Sequence, residues 1–379
     1  MLLTKHRIDH AIAELRDEYL QPHQHPWIVA FSGGKDSTLV LHLVVEMLLS
    51  LAPSDRQRRV HVVCNDTQVE SPLLITHTRA ALDKVGRAGE SLRLPMSVHV
   101  TTPAADQTFW CNLIGRGYPP PNRRFRWCTD RMKIGPTTRF VRDQVSAAGQ
   151  VVLLVGVRRS ESANRAKTID RHTVEGQRLS PHQNLKSCMV FRPIERFDTD
   201  EVWATLLQRP VPWGGSHRNL ITLYRNAGAG ECPVVMDRSE APACGGSSRF
   251  GCWTCTVVAR DKSGEAMADA GFEEYEHLGE FRDYIRDLQH DRTKRQAEKR
   301  DGTVTFSQDE LMPGPFTITA RMEILDRLLD LQHRVGSTLI TEDEVHIIKR
   351  IWAQDVVDMS RRWEEWRATM EACEVEEDQ

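Results

Sequence analysis

No apolar run in this 379-residue chain approaches the roughly 20 residues that a membrane-spanning helix needs. The opening residues, Met-Leu-Leu-Thr-Lys-His-Arg, return to charge before a signal-peptide core can form. The expected setting is therefore cytoplasmic, with no membrane partner. Charge of one sign is also lacking: the net value is −3. That neither favours nor excludes nucleic acid, because the placement of charges decides such binding. The histidines form no HExxH pattern, so that histidine-zinc signature is absent. No internal repeat is present, which argues against a solenoid. Composition is otherwise ordinary for a globular protein, at 40% apolar and 27% charged. The length allows one large domain or two to three small ones. What the chain has in quantity is cysteine, nine in all. In a large cytosolic chain that points to metal or catalysis rather than disulfides.

The chain is organised around Trp27-Ile28-Val29-Ala30-Phe31-Ser32-Gly33-Gly34-Lys35-Asp36-Ser37-Thr38. Ile28 to Phe31 reads as a buried strand, and the apolar stretch from Thr38 begins a helix. Between them the glycines allow close backbone approach, and the unpaired N–H groups of the first helical turn make an anion site. Lys35 adds positive charge. Asp36 and Ser37 are candidates to cap the helix and to orient a metal-bound phosphate. The string departs from the GxxxxGK[ST] phosphate loop. Ser-Gly-Gly-Lys-Asp-Ser resembles instead the PP-loop of the ATP pyrophosphatases, which cleave ATP between the α- and β-phosphates.

Around this loop the pattern alternates. Residues 5–20 read as an amphipathic helix, with Ile8, Ile12 and Leu15 on one face. Further strands are expected at 58–67, 96–101 and 151–157, with helices from the loop to about Leu51 and from Ser71 to about Val85. The all-apolar strand at 151–157 fits a parallel strand buried on both faces. The order predicts an α/β fold, a doubly wound, mostly parallel sheet with ligands beyond the strands' carboxyl ends. The expected divisions are a PP-loop domain over 1–205, an irregular four-cysteine segment over 206–264 and a helical region over 265–379. Arg282 to Arg300 is dense in mixed charge and reads as a solvated helix face. Met322 to Leu331 carries Ile324, Leu325, Leu328 and Leu329 at helical spacing. Thr341-Glu342-Asp343-Glu344 starts a further helix with a capping box.

Three constellations carry the chemistry. On the ligand rim, Asp66 ends the second strand, where it could meet a ribose, an adenine amine or a metal, or simply cap the next turn. Gly156, Arg158, Arg159 and Arg165 follow the fourth strand, and arginines there would neutralise a polyphosphate. The segment from Trp110 to Lys133 holds six basic residues and one acid, interleaved with aromatics. Arg116, Tyr118, Arg123, Arg124, Arg126 and Trp127 in it suit a nucleic-acid groove, with Arg165 assigned to the same substrate surface. Cys128 lies among these cations, which would favour its thiolate and let it pass on sulfur. Its alternative is a small buried hydrophobe. Cys232, Cys244, Cys252 and Cys255 are spaced C-x11-C-x7-C-x2-C. Four thiolates at such spacing suit zinc or a [4Fe-4S] cluster alike. Cys64, Cys111, Cys188 and Cys373 are scattered and read as structural.

Several strings together resemble the DndC family, the component of bacterial DNA phosphorothioation systems that is similar to phosphoadenosine-phosphosulfate reductases. They are the 32–38 loop, Thr108-Phe109-Trp110 with Asn112 to Pro119, Phe125 to Thr129, Gly156-Val157-Arg158 with Glu161-Ser162, Leu223-Tyr224-Arg225 with Gly230 to Pro233, and Arg249 to Cys255. Gly-Arg-Gly-Tyr-Pro and Phe-Gly-Cys-Trp-Thr-Cys are the specific strings, and the likeness runs over about 27–262. It implies an ATP pyrophosphatase with Ser32 to Thr38, Asp66 and Gly156 at ATP and Mg2+. It implies Lys35, Asp36, Ser37, Arg158, Arg159 and Cys128 in catalysis, and it favours [4Fe-4S] over zinc. Its implied partners are DNA, a cysteine desulfurase and the other Dnd proteins DndD and DndE, in a system that marks self DNA for defence. The alternatives are a sulfonucleotide reductase, a tRNA-thiolating PP-loop enzyme and a non-catalytic iron–sulfur sensor that contacts DNA. The reductase would need a C-terminal Glu-Cys-Gly-type motif, where this chain has Glu371-Ala372-Cys373-Glu374 and no Cys-Cys pair.

Overall fold

The first strand, β1 (Trp27–Phe31), is mostly β-branched and aromatic and is buried on both faces. Trp27, Val29 and Phe31 face one side, packing with Leu39, Leu43 and Trp203. Ile28 and Ala30 face the other, with Val141, Val151 and Leu153. That period of two places helices on both faces of the sheet, because each face carries an apolar surface that must leave water. The computed structural model describes residues 2–122, 125–227, 251–307 and 310–377.

These residues form two compact units. The first comprises 1–102, 133–253 and 260–275, and the second 103–132, 254–259 and 276–379. In the first unit, α1 (Leu2–Tyr19), β1, α2 (Lys35–Ser50), β2 (Val60–Asn65), α3 (Pro72–Ser91), β3 (Met96–Thr101), α4 (Gly135–Ala148) and β4 (Val151–Leu154) follow in turn. Then come α5 (Ala163–His172), β5 (Ser180–Pro181), β6 (Cys188–Phe191), α6 (Thr199–Gln208), α7 (Arg218–Asn226) and α8 (Lys262–Asp269). The strand order is β3-β2-β1-β4-β6-β5. All pairings are parallel except that of β5 with β6. This is the expected doubly wound α/β sheet. The strand order reverses between β1 and β4, the switch point at which such sheets open a ligand crevice.

The fourth strand is shorter than expected, ending at Leu154 rather than Val157. Val155 still bonds to Phe191 O, but Gly156 leaves the ladder to lie against Asp36. Two short strands, β5 and β6, and the helices α4, α5, α6 and α7 also lie beyond the expected set. α6 opens with a full capping box, in which Asp198 Oδ1 accepts from Glu201 N at 2.8 Å and Glu201 Oε2 accepts from Asp198 N at 2.9 Å.

The second unit contains most of α9 (Glu274–Leu288), all of α10 (Ile318–Val335) and α11 (Glu342–Glu377), and the short pair β7 (Phe306–Ser307) and β8 (Glu310–Leu311). Thr341 and Glu344 cap each other as the sequence predicts. The mixed-charge stretch is not wholly solvated: Arg282 is 2% exposed, and its guanidinium donates to Cys255 O at 2.8 Å. The helix there ends at Leu288, short of Arg300. Arg321 is buried likewise, donating to Gly115 O at 2.8 Å and pairing with Asp355 at 2.7 Å. No helix among the described residues is long and apolar enough to cross a membrane.

Candidate active site

The turn after β1 can exist only with glycine in it. Gly33 has φ +72°, and a Cβ there would lie 2.0 Å from Thr78 Oγ1. The loop then closes on itself. Ser37 Oγ accepts from Ser32 N at 3.1 Å and donates to Gly34 O at 3.0 Å. Gly34 is the N-cap of α2 and no side chain caps the helix, so Asp36 and Ser37 do not act as the caps the sequence suggested. A different residue meets the helix start: Tyr224 OH, brought by α7, accepts from Lys35 N at 3.2 Å. The Lys35 ammonium lies 5.4 Å from the centroid of the same ring and 3.5 Å from Asp36 Oδ2.

The segment after β4 forms the facing wall. A Cβ on Gly156 would lie 2.8 Å from the Asp36 carbonyl carbon and 2.9 Å from Ser37 N, so glycine is what lets the two backbones meet. Arg158 is 2% exposed. Its Nε donates to Asp36 Oδ1 at 2.7 Å, and its Nη1 donates to Ser160 Oγ at 2.9 Å and Thr199 Oγ1 at 3.2 Å. A buried charge is tolerated when paired and hydrogen-bonded in this way. Arg158 thus fixes the loop's acidic side chain.

Loop and wall enclose a cavity of about 500 Å3 lined by Ser32, Gly34, Lys35, Asp36 and Ser37 on one side and Gly156, Arg158, Ser160 and Arg165 on the other. Its size and polar lining suit a small ligand. Asn65, Glu70, Lys133, Thr199 and Tyr224 complete it. None of these five was assigned to the ATP site from the sequence, although Lys133 ends the basic, aromatic segment and Tyr224 stands in one of the family strings. Asn65 could have been found from the alternation along β2, which points it and its neighbour Asp66 in opposite directions. Burial pushes the Glu70 carboxyl above the usual range, against the pull of Lys133.

Other expected residues fall elsewhere. Asp66 is absent from the cavity wall. It is buried, and holds its own turn through Gln68 N at 2.8 Å and Arg79 at 2.8 Å. Arg159 faces away, paired with Asp170 and with Glu195. Thr38 is buried behind the loop and lines a separate cavity in the same unit. Arg165, assigned to the DNA surface, instead borders the cavity beside Glu161.

The basic and aromatic segment lies largely in the second unit. Trp110 and Trp127 are buried, and the Trp127 indole donates to Pro119 O at 2.9 Å. Neither offers a free face for stacking a base, because the packing of that unit uses both. Arg116 pairs with Asp106 at 2.8 Å. Arg131 stacks on Tyr118, with 5.2 Å to the ring centroid. Phe125 and Arg126 are exposed, whereas Arg123 and Arg124 lie outside the described residues. Cys128 is half-buried.

Cys232 and Cys244 also lie outside the described residues, and Cys252 and Cys255 are half-buried. Cys252 pairs with Glu70 in an isolated β-bridge, and its Sγ lies 3.5 Å from Thr67 Oγ1. Among the described residues no three His, Cys, Asp or Glu side chains gather as a metal site. Of the scattered cysteines, Cys64, Cys111 and Cys188 are buried core groups. Burial pushes the Cys64 thiol up to about 12 and those of Cys111 and Cys188 up to about 11. They stay protonated and unreactive at neutral pH.

The profile of the phosphoadenosine phosphosulfate reductase domain matches residues 26–258. An uncharacterised protein of Methanocaldococcus jannaschii is 28% identical over 190 residues, 50% of this chain and 32% of that protein. The chain thus spans about a third of that curated relative. Similar solved structures include the U34-tRNA thiolase NcsA of Methanococcus maripaludis with its [4Fe-4S] cluster, at 14% identity and TM-score 0.35 over 76% of this chain and 78% of that one. Another is the phosphoadenylyl-sulfate reductase of Candida auris in a phosphate complex, at 12% identity and TM-score 0.32 over 52% and 83%. A third is the NAD+ synthetase of Burkholderia pseudomallei, at 12% identity and TM-score 0.36 over 88% and 90%.

Proposed function

The chain belongs to the phosphoadenosine phosphosulfate reductase domain family, and on that premise we propose that it uses ATP to activate a DNA backbone phosphate for replacement of oxygen by sulfur. The observation that carries the reading is the closed loop, with Gly156 pressed against it and Arg158 locked to Asp36. The DNA acceptor rests on the specific strings Gly115 to Pro119 and Phe250 to Cys255.

A phosphodiester oxygen is a poor leaving group, so it must be converted before sulfur can displace it. In the first step a non-bridging DNA oxygen attacks the α-phosphorus of ATP. A P–O bond forms, the bond from the α-phosphorus to its bridging oxygen breaks, and pyrophosphate leaves with the electron pair. In the second step a sulfide-level sulfur nucleophile attacks the DNA phosphorus, and AMP departs with the oxygen. The start of α2 would face the phosphates, as helix starts do for anions, although its Lys35 N–H is held by Tyr224 OH. Lys35 and Arg165 add positive charge where pyrophosphate forms. One carboxylate, Asp36, is a donor set that suits Mg2+ arriving largely coordinated by the phosphates of ATP. Where Cys128 relays sulfur, it would carry it as a persulfide received from a cysteine desulfurase. The outer sulfur would attack the DNA phosphorus as AMP leaves. An external thiol would then reduce the S–S bond to give the phosphorothioate and restore the Cys128 thiol.

Cys252 and Cys255, with Cys232 and Cys244, form a donor set chemically suited to a [4Fe-4S] cluster, with zinc as the alternative. When bound, an iron–sulfur cluster would supply sulfur or electrons to the second step. A cysteine desulfurase and the proteins DndD and DndE are the partners this reading proposes.

The products decide the matter. With MgATP and duplex DNA the chain should release pyrophosphate, and AMP should follow only when a sulfur donor is added. Formation of ADP and phosphate, or sulfite release from phosphoadenosine phosphosulfate, would replace this reading with a kinase-like or reductase activity.

A further inference from the structure

A second cavity of about 650 Å3 opens in the first unit beside the carboxyl end of β6. It is lined by four arginines, Arg7, Arg178, Arg192 and Arg196, against two carboxylates, Glu14 and Glu195. Most of these charges are already matched. Arg7 pairs with Glu201 at 2.7 Å, Arg178 with Glu18 and Asp17 at 3.5 Å, Glu195 with Arg159 at 3.4 Å and Glu14 with His10 at 3.4 Å. Two cations remain. Arg192 is half-buried and its side chain makes one hydrogen bond, from Nη1 to Ser180 Oγ at 2.6 Å. Arg196 is exposed, and among the described residues neither it nor Arg192 has a carboxylate within ion-pair distance. A guanidinium has five donors in a planar fork, so Arg192 keeps most of its donors for a ligand. Burial pulls its pKa below the usual arginine value, with Glu195 opposing.

This cavity adjoins the loop cavity. The segment 192–197 that lines it is stitched to the 158–161 segment that lines the other. Arg159 N donates to Glu195 O at 2.9 Å, and Ser160 Oγ donates to Phe197 O at 2.9 Å. One layer of backbone separates them. Both lie on the carboxyl rim of neighbouring parallel strands, β4 and β6.

We propose that this second cavity binds phosphates of the acceptor nucleic-acid backbone, with Arg192 and Arg196 as the contacting residues, while the next phosphate along reaches the loop cavity. The inference rests on the adenylylation reading above and assigns its acceptor subsite. Arginine suits the task because its fork matches phosphate oxygens bidentately. It also moves the acceptor site away from the basic, aromatic segment, whose two tryptophans Trp110 and Trp127 are buried.

The test is fluorescence anisotropy with a labelled duplex oligonucleotide across a salt series, alongside ATP titration, for the full chain and for Arg192→Gln, Arg196→Gln and the double variant. Each single change should weaken DNA binding several-fold. The double variant should lose at least tenfold and lower the salt slope by about two, one per lost phosphate contact. ATP affinity should stay within twofold, which also shows that the variants fold. Arg196→Gln, at an exposed position, guards against a folding defect in the Arg192 variant. Unchanged DNA affinity and slope in all variants overturns this subsite and leaves the adenylylation reading standing. A wild-type chain that binds ATP but no DNA overturns both. Competition by AMP or inorganic phosphate at concentrations matching the oligonucleotide would reassign the cavity to a free nucleotide and also overturn the proposal.

Discussion

At the scale of single residues, the site depends on two glycines and one ion pair. Gly156 has backbone, not flexible side chain, where a Cβ would go. Gly156→Ala should therefore push the 156–158 segment off the loop, lowering ATP affinity at least tenfold and stability by about 1–3 kcal/mol. Isothermal titration and urea unfolding would read the two effects. Asp36→Ala leaves the guanidinium of Arg158, 2% exposed, without its charge partner. Removing one member of a buried pair costs about 3–5 kcal/mol, so this variant should unfold at markedly lower urea as well as lose pyrophosphate release. Tyr224→Phe removes the hydroxyl that accepts from Lys35 N. The expected cost is about 1 kcal/mol, with a raised KM for ATP. The loop's glycines and Ser37 were legible from the string alone. Tyr224 and Glu70 were not, since residues 189 and 35 positions from Lys35 converge only once the chain has folded.

At the scale of elements, the strands of five or six residues were legible. β3 runs from Met96 to Thr101 as read from the sequence, and β1 and β2 are close to it. β6, of four residues, and β5, of two, carry too short a pattern to separate from a loop. α6 did carry a signal, the Asp198 and Glu201 capping box. Histidines are also buried in the first unit. His61, on β2, is held down to about 4 by burial and then by His99 and Arg59. His217 is held down to about 4 by burial and then by His42 and His77. Both are neutral in the fold and take up protons near their ordinary value of 6.5 once unfolded. Their contribution is complete above that value and is lost as pH falls towards 4. Urea unfolding of the first unit should lose on the order of a few kcal/mol between pH 7.5 and pH 5. His61→Gln should flatten that dependence. In the second unit, Asp355→Ala strands the buried Arg321 and should cost about 3–5 kcal/mol.

At the scale of the whole molecule, the α/β sheet and its ligand rim followed from alternating strands and helices, which is a global pattern. The expected nucleic-acid groove did not translate as directly. Trp110 and Trp127 looked like stacking platforms because sequence shows residue type and not burial, and both are enclosed. Their indoles instead donate to backbone carbonyls of the same unit, at Leu339 and Pro119. Within the second cavity the two arginines without a carboxylate at ion-pair distance, Arg192 and Arg196, lay in a stretch that drew no notice because arginine there has no neighbouring motif. The central claim is that ATP cleaved at the 32–38 loop activates a DNA phosphate for sulfur. The most direct measurement is mass spectrometry of phosphorothioate-linked dinucleotides from cells that carry the complete modification system with the wild-type chain or with Ser37→Ala. Phosphorothioate dinucleotides present with the wild type and lost with Ser37→Ala are what the account predicts. Equal levels with both chains, or in cells lacking the protein altogether, would contradict it.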